Sequence, residues 1–359
     1  MTDPTPTLSI VVGAGGVGKT TLAAALAVHF ASRGEPTLVM TFDPSLRLKD
    51  ALGVSEDART DEVAVELSGP GELHASLLDV KRTFDRLVGR YAPDEEVRAR
   101  ILANRFYAEL SGTLAGVLEY MAVERLFEVA EQGRYRRIVL DTPPTRQALD
   151  FLEAPDRILA FLDSGALRIA LKPWFDERGR LRPTSRLGFI GRNLEAFLDH
   201  VVGLELLRDM AEFFSSFGPL YEGFRERAHQ VRALLRARQT SFLLVSGPGE
   251  DRVADTLFFA RRLREAGHRL GPVIVNRVHP PARGRSDSPA LEAGERGDGA
   301  RLVSWLGERD AEGVAALRGL LGSAAPLVEV PLLPDAPSDL ESIERLALLL
   351  ADRLPPAPA

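Results

Sequence analysis

The chain has 359 residues, of which 45% are hydrophobic and 27% are charged. This composition is typical of a globular protein with a large core, so collagen-like, long coiled-coil and wholly disordered structures are excluded. The formal net charge of −6 argues against binding of nucleic acid or of an anionic membrane through bulk charge. The absence of cysteine excludes disulfides and thiolate zinc sites, so we expect no zinc.

The beginning of the chain lacks the pattern of a signal peptide, because residues 1–9 are polar and rich in proline. The longest uncharged stretch, residues 4–18, is too short and too rich in glycine to cross a bilayer. We therefore expect no transmembrane segment and a cytoplasmic location.

Short apolar runs rich in β-branched residues alternate with long helical patterns along the chain. Most of these runs are almost continuously apolar, which is typical of parallel strands covered by helices on both faces. The predicted strands are 8–12, 37–41, 73–78, 137–140, 241–245, 272–275 and 327–330, and the predicted crossover helices include 21–32, 251–266 and 338–354. The pattern predicts an α/β fold with a doubly wound, mostly parallel sheet.

Two long stretches interrupt this alternation. Residues 80–134 and 154–238 have helical patterns without a strand, and we predict that they form a helical subdomain. The remaining segments, 1–79, 135–153 and 239–359, are predicted to form a discontinuous core that contains the sheet. Residues 280–300 are rich in Pro, Gly, Arg, Ser and Asp, which predicts a mobile surface loop.

The strongest motif lies between the first predicted strand and the first predicted helix. It reads GAGGVGKTT over residues 13–21 and matches the phosphate-loop pattern G-x-x-x-x-G-K-[ST]. Its glycines let backbone N–H groups surround a phosphate at a helix N-terminus. Lys19 would reach the β- and γ-phosphates, and the Thr20 hydroxyl would bind Mg²⁺. The predicted nucleotide-binding residues of this loop are Gly13, Gly15, Gly16, Val17, Gly18, Lys19, Thr20 and Thr21.

Two aspartates follow predicted strands at the edge where a doubly wound sheet binds its ligands. Asp43 is placed to orient a water for attack on the γ-phosphate, but its carboxylate would equally cap the helix that begins near Ser45. Asp141 fits the acidic residue that holds Mg²⁺ through water. An aspartate at a strand end is also a common turn residue, but the phosphate loop upstream favours the metal role.

These motifs together resemble the ArsA family, which includes the arsenical-pump ATPases and the ATPases that guide tail-anchored membrane proteins. The resemblance is carried by GAGGVGKTT, DPSLRLKDALG, DTPPTRQALDFL, the dipeptide Asn276-Arg277 and the segment VPLLPD at 330–335. The chain most resembles the bacterial cysteine-free members that have DTPP in the second switch. The resemblance implies that ATP or ADP and Mg²⁺ are bound, that ATP is hydrolysed, and that a dimer closes on ATP binding and opens on hydrolysis.

The resemblance also implies roles for individual residues. Asp43 matches the aspartate that activates water, and Asp141 and Thr142 match the start of the second switch. Asn276 matches the residue that reads adenine, and Arg277 adjoins it. The loop that closes over the base corresponds to Leu332, Pro334 and Asp335.

Ala14 departs from the family pattern, in which a lysine at this position reaches the phosphates of the partner subunit. Unless Arg47 or Arg146 supplies that charge, we expect slow hydrolysis or dependence on a partner, since a cation at such a site is worth roughly 10³ to 10⁵ in rate in other P-loop enzymes. Two alternatives follow for the function. The chain is an ATP-hydrolysing switch that works as a dimer, either of two copies or with a paralogue, or it is a subunit that hydrolyses ATP poorly and works in a heterodimer with a paralogue.

Two other roles within this group of ATPases fit the sequence poorly. The cysteines that bind arsenite or antimonite are absent, which argues against an arsenical pump. A DNA-partitioning ATPase fits poorly with the negative net charge and the long helical insertions, so we expect no nucleic-acid partner.

Residues 189–217 contain two apolar stripes at helical spacing, 190–194–197–201–204 and 198–202–206–210–213. Together they form an apolar face wider than a surface helix requires. One explanation is a helix packed between neighbouring helices; the other is a groove for an apolar helical client, which the family resemblance suggests. The chain has four methionines, so a flexible, methionine-rich groove is not indicated.

Overall fold

The computed structural model describes residues 6–42, 47–55, 62–113, 117–143, 145–163, 216–280 and 296–355, together with residues 209, 212 and 213. The chain divides into two compact units. The sheet unit comprises Met1–Leu78, Glu128–Leu149 and Leu235–Ala359, and the helical unit comprises Asp79–Phe127 and Asp150–Leu234.

The sheet unit is built on one sheet, which has eight strands within the described residues. They are β1 (Thr7–Gly13), β2 (Thr37–Thr41), β3 (Val63–Ala64), β4 (Leu73–Leu77), β5 (Arg137–Asp141), β6 (Thr240–Ser246), β7 (Leu270–Val278) and β8 (Leu327–Pro331). Their order is β3-β4-β2-β5-β1-β6-β7-β8, and the pairs are parallel except for the antiparallel pair β3–β4. The predicted α/β fold with a mostly parallel sheet is confirmed.

The helices of the described residues lie between and after the strands in the sequence. They are α1 (Lys19–Ser32), α2 (Arg47–Leu52), α3 (Val80–Tyr91), α4 (Glu95–Ala103), α5 (Arg105–Thr113), α6 (Val117–Gln132), α7 (Thr145–Asp163), α8 (Tyr221–Arg236), α9 (Asp251–Glu265), α10 (Arg296–Leu321) and α11 (Leu340–Ala351). A 3₁₀ turn (Gly218–Leu220) precedes α8. Within this described part of the chain, no helix is long and apolar enough to cross a membrane.

The core of the sheet unit surrounds α1, the helix that follows the phosphate loop. Ala23, Ala24, Ala25 and Ala27 of α1 are fully buried, and they belong to the same apolar cluster as the buried residues of α11. Since alanine side chains are small, α1 lies close to both the sheet and α11. This packing fixes the start of α1, and with it the phosphate loop, at the carboxyl edge of the sheet.

The predicted loop over 280–300 differs from the structure at its end. Residues 296–300 form the first turn of α10, and residues 281–295 lie outside the described residues. The sequence RGDGA favours a loop locally, but helix formation is cooperative, so the amphipathic residues that follow extend the helix back through this segment.

The helical unit has a core rich in aromatic side chains. The Tyr107 hydroxyl donates a hydrogen bond to Asp85 at 2.5 Å, and burial together with this bond raises the pKa of Tyr107 far above its usual range. Phe213 is 3% exposed and stacks on Phe217 with ring centroids 5.4 Å apart. At Phe213 the apolar stripe predicted in 189–217 is therefore internal; most of that segment lies outside the described residues.

A buried ion pair joins α6 and α8 inside the helical unit. The Arg227 guanidinium donates to Glu124 at 2.7 Å, and the two side chains are 1% and 4% exposed. The guanidinium also lies over the Phe127 ring, 4.1 Å from its centroid. Burial, and next the charge of Glu124, raises the pKa of the neighbouring Tyr120 well above its usual value. The core of this unit therefore contains charge as well as apolar packing.

Candidate functional site

The loop between β1 and α1 presents a helix N-terminus at the carboxyl edge of the sheet. Gly18 is the N-cap of α1, with a φ of +93°, and it has no side chain with which to cap the helix. The first N–H groups of α1 and the positive end of its dipole therefore remain available to an anion. Lys19 is 7% exposed and its Nζ donates to the Ala14 carbonyl oxygen at 2.9 Å. The Lys19 side chain is therefore folded back over the phosphate loop, toward Ala14.

Asp141, the last residue of β5, is completely buried beside the start of α1. Because β5 lies between β2 and β1, the register places Asp141 opposite Thr41 on one side and Val11 on the other. Its Oδ2 accepts hydrogen bonds from the Thr20 hydroxyl at 2.8 Å and from the Thr41 hydroxyl at 3.2 Å. Three oxygen-bearing side chains from three different elements therefore meet at one point.

These oxygen groups fit Mg²⁺ bound together with a phosphate. Mg²⁺ prefers hydroxyl, carboxylate and water oxygens, and it is usually held by one or two protein groups plus substrate phosphates. Among the described residues, no group of three or more His, Asp or Glu side chains could hold a metal ion by itself. Thr20 and Asp141 therefore suit a cation that arrives with its nucleotide.

Two threonines, Thr41 and Thr142, lie beside Asp141 at this edge of the sheet. The buried Thr142 donates from its hydroxyl to the Val11 carbonyl oxygen at 2.8 Å, which ties the exit of β5 to β1. Thr41 was missing from the predicted site residues. The signal that could have found it is the alignment of strand ends, because polar residues that end neighbouring parallel strands meet at the same edge of a sheet.

Asn276 and Arg277, at the end of β7, contact the phosphate loop directly. Asn276 Nδ2 donates to the Val17 carbonyl oxygen at 2.8 Å, and its Oδ1 accepts from the backbone N–H of Arg277 at 3.0 Å. Arg277 Nη1 donates to the Gly16 carbonyl oxygen at 3.1 Å. Counted over the described residues, these bonds leave one N–H and one lone pair of the Asn276 amide for a ligand.

Two features make the contact between Asn276 and the phosphate loop possible: a bulge in β7, and the absence of a side chain at Gly18. Asn276 pairs with Val330 and Val278 pairs with Pro331, so Arg277 is an extra residue in the strand. Its φ of +63° is unusual for a residue other than glycine, and bulges of this kind re-aim side chains beside functional sites. A Cβ on Gly18 would overlap the Asn276 amide nitrogen, so only glycine leaves room for it.

The other predicted base-contacting residues lie in the loop after β8. The exposed Leu332 donates its backbone N–H to the Val278 carbonyl oxygen at 2.8 Å, which joins this loop to the exit of β7. Pro334 and Asp335 follow and are exposed. The structure therefore brings the loop after β8 to the strand that carries Asn276.

Four positions bear on the expected catalytic charges. Asp43 lies outside the described residues, and so does the side chain of Arg146. Arg47 is exposed at the start of α2. The Ala14 methyl group packs, partly buried, against the apolar core. The cation that the family places at position 14 is therefore replaced here by an apolar contact.

Comparisons with known proteins identify the family of the chain. The family model of anion-transporting ATPases, the ArsA ATPase family, matches residues 7–298. The chain is 29% identical to ATPase GET3B of Arabidopsis thaliana over 340 residues, which cover 89% of this chain and 74% of that relative. It is 29% identical to ATPase ARSA1 of Chlamydomonas reinhardtii over 332 residues, which cover 85% of this chain and 38% of that relative. The chain belongs to the ArsA ATPase family.

Proposed function

We propose that this ATPase of the ArsA type uses the state of its bound nucleotide to control its association with a second subunit and with a client. The observation that carries the proposal is the hydrogen bond between Thr20 and Asp141, 2.8 Å long. It joins the first turn of the helix after the phosphate loop to the acidic end of the neighbouring strand. This is the arrangement that a P-loop ATPase needs to hold Mg²⁺ beside the β- and γ-phosphates.

The proposed reaction is attack of a water on the γ-phosphorus of ATP. A bond forms from the water oxygen to phosphorus, the bond to the β-γ bridging oxygen breaks, and ADP and inorganic phosphate are released. Asp43 orients the water and accepts its proton, while Lys19 leaves the Ala14 carbonyl to contact the β- and γ-phosphates. Thr20 and, through water, Asp141 would hold Mg²⁺, which neutralises charge on the phosphate oxygens.

The base would be bound at the other end of the loop. The free N–H and lone pair of the Asn276 amide suit the edge of adenine, and Arg277 adjoins it. Leu332, Pro334 and Asp335 would close over the base. This assignment is supported by the contacts of Asn276 and Leu332 with the loop and with β7.

Release of phosphate from ATP tests the proposal. We expect Asp43→Asn to lower turnover by about a hundredfold or more, because a positioned general base contributes roughly 10²–10⁴ in rate. Lys19→Ala is expected to weaken ATP binding as well as turnover. Asp50→Asn is the matched control, since it removes the same charge from an exposed side chain of α2. If Asp43→Asn hydrolyses ATP as fast as the wild type, the role assigned to Asp43 is wrong.

The apolar contact of Ala14 favours a second candidate function. A subunit without a cation at this position would bind ATP yet hydrolyse it poorly, and would work in a heterodimer with a paralogue. Tight ATP binding with negligible turnover, restored by a paralogous chain, would support this alternative. Robust turnover by the chain alone would exclude it.

The client is proposed to be an apolar helix that binds the helical unit through residues 189–217. The support is the width of the predicted apolar face, although the buried Phe213 shows that part of it belongs to the core. The subunit partner is proposed to be a second copy or a paralogue. A cytoplasmic location, and the absence of zinc and of nucleic-acid partners, stay predictions.

A further inference from the structure

An imidazole–carboxylate pair lies one step beyond the bulge of β7. Asp310 of α10 is 1% exposed, and its Oδ2 lies 2.9 Å from the backbone nitrogen of His279 and 2.7 Å from the ring Nδ1 of the same residue. One buried oxygen therefore holds both the main chain and the side chain of the residue that follows β7. Neither residue has a role in the reaction described above.

The pair completes a row of contacts made by four consecutive residues. Asn276 and Arg277 hold two carbonyl groups of the phosphate loop, and Val278 accepts the N–H of Leu332. His279 is held by Asp310 in α10. The exit of β7 is thus fixed to the phosphate loop on one side of the bulge and to a helix on the other.

The backbone of Arg277 explains why an anchor is needed on both sides. A residue other than glycine in the left-handed region is unfavourable, and it persists only where the surrounding structure holds it. Without the Asp310 anchor the chain after Arg277 is freer to relax to an ordinary extended conformation. Such a relaxation would move the Asn276 amide and the Arg277 guanidinium away from the loop carbonyls.

We propose that Asp310 is a positioning residue that, through His279, holds the bulge of β7 and keeps the Asn276 amide directed at the base of the bound nucleotide. The inference rests on the proposed function, since it names the residue that supports base recognition in the same site. Lys19, Thr20 and Asp141 lie on α1 and β5, while the bulge contacts the phosphate loop through the Gly16 and Val17 carbonyl oxygens. Loss of Asp310 therefore affects recognition of the base more than binding of the phosphates.

Calorimetric titration with ATP and with GTP, in the presence of Mg²⁺, separates these two effects, because the ligands differ only in the base. Asp310→Ala is expected to weaken ATP binding roughly tenfold, as for the loss of about one net hydrogen bond, and to weaken GTP binding by a clearly smaller factor. Asp310→Asn keeps an acceptor oxygen, and it is expected to retain most of the wild-type affinity for ATP.

Two further variants complete the test. His279→Ala loses only the ring contact and keeps the backbone contact, so it is expected to fold even if Asp310→Ala does not, and to lower the preference for ATP by a smaller factor. His268→Ala is the matched control, because His268 is a buried imidazole just before β7 whose Nδ1 lies 3.2 Å from the Leu235 carbonyl oxygen. It lies at the opposite end of the strand and is expected to leave the preference unchanged.

The possible outcomes separate the positioning role of Asp310 from the proposed function of the whole site. Equal weakening of ATP and GTP in Asp310→Ala and His279→Ala would overturn the positioning role, since the pair would then support the whole site. An unchanged preference in both variants would overturn it as well. A wild-type protein that binds both ligands equally well contradicts this inference alone, whereas one that binds neither contradicts the proposed function too.

Discussion

Gly18 connects the two halves of the nucleotide site because it has no side chain. Its left-handed backbone starts α1 toward the phosphates, and the space beside its Cα holds the amide of Asn276. The same residue therefore serves the phosphate loop and the strand that we propose to recognise the base. Glycine is required here by conformation and by close approach at once.

Substitution by alanine separates these two requirements. Gly16 also has a positive φ, of +78°, but a Cβ there meets open space. Gly16→Ala is therefore expected to cost about 1 kcal/mol in unfolding free energy from its backbone alone. Gly18→Ala is expected to cost at least about 1 kcal/mol more, because it displaces the Asn276 amide from the Val17 carbonyl. Urea unfolding of nucleotide-free protein measures both.

An Asn276→Ala background provides the control for this comparison. Without the amide, the extra cost of Gly18→Ala over Gly16→Ala is expected to disappear. A difference that persists in that background would mean that the close approach of Asn276 is not the cause.

At the scale of single residues, the sequence predicts the groups that belong to a contiguous motif. Lys19 and Thr20 follow from the spacing of the glycine loop, and Asp141 follows from its position at the end of an apolar run. Thr41 and the His279–Asp310 pair do not, since their contacts depend on strand register and on which helix packs against the exit of β7. The role of Asp43 stays a prediction.

At the scale of elements, α10 depends on a close contact with the turn before α9. Gly313 lies on the buried face of α10, and a Cβ at this position would overlap the Pro248 carbonyl oxygen and crowd the Glu250 nitrogen. Glycine is a poor helix former. Its presence in the middle of α10 is therefore explained by packing against a backbone that has little room to move.

Two glycines of α10 provide a matched pair for testing this packing. Gly313→Ala is expected to lower the unfolding free energy by about 1–3 kcal/mol, because it overpacks a backbone contact. Gly319→Ala, on the exposed face where a Cβ meets nothing, is expected to raise it by about 0.5–1 kcal/mol through helix propensity. Thermal or urea unfolding gives the sign of each change. Changes of the same sign in both variants would contradict the packing explanation.

Most of the predicted strands agree closely with the structure. Within one residue at each end, the predictions match β1, β2, β4, β5, β6 and β8, because apolar runs mark parallel strands, whereas β7 extends beyond the predicted 272–275 to Leu270–Val278. β3 was missed because its two residues carry no such run. The start of α1 was placed at residue 21 rather than Lys19, since an apolar pattern does not show a polar first turn.

At the scale of the whole molecule, each of the two units has a core of its own, and the helical unit contains the charged pair Arg227–Glu124. A buried charge that loses its partner is costly, because the low-dielectric interior no longer compensates for its lost hydration. The stability of the helical unit should therefore respond to this pair, while the proposed nucleotide-binding residues belong to the sheet unit.

Calorimetry of Arg227→Ala, with and without ATP, tests this division. The variant is expected to destabilise the helical unit by about 3–5 kcal/mol, because it breaks the buried pair of Arg227 with Glu124. Added ATP is expected to stabilise the sheet unit by about 2.7 kcal/mol at a hundredfold excess over Kd, as in the wild type.

Arg225→Ala is the control from the same helix. Its exposed guanidinium pairs with Asp163 at 2.9 Å, so its loss is expected to cost no more than about 1 kcal/mol. If Arg227→Ala abolishes ATP binding in protein that is still folded, the two units are not independent in this respect.

Residues that contact one another in the proposed nucleotide site are far apart in the sequence, and this has a consequence for synthesis of the chain. Thr20 and Asp141 are 121 positions apart, and Val17 and Asn276 are 259 positions apart. Since a ribosome releases the chain from its amino end, the glycine loop emerges long before the carboxylate that faces it, and the first part of the helical unit is made in between. Asn276 emerges later still, and Leu332, Pro334 and Asp335 emerge last. In the site that we propose, a nascent or truncated chain therefore has the phosphate loop but lacks the residues that bind the base, and only a nearly complete polypeptide is expected to respond to the nucleotide.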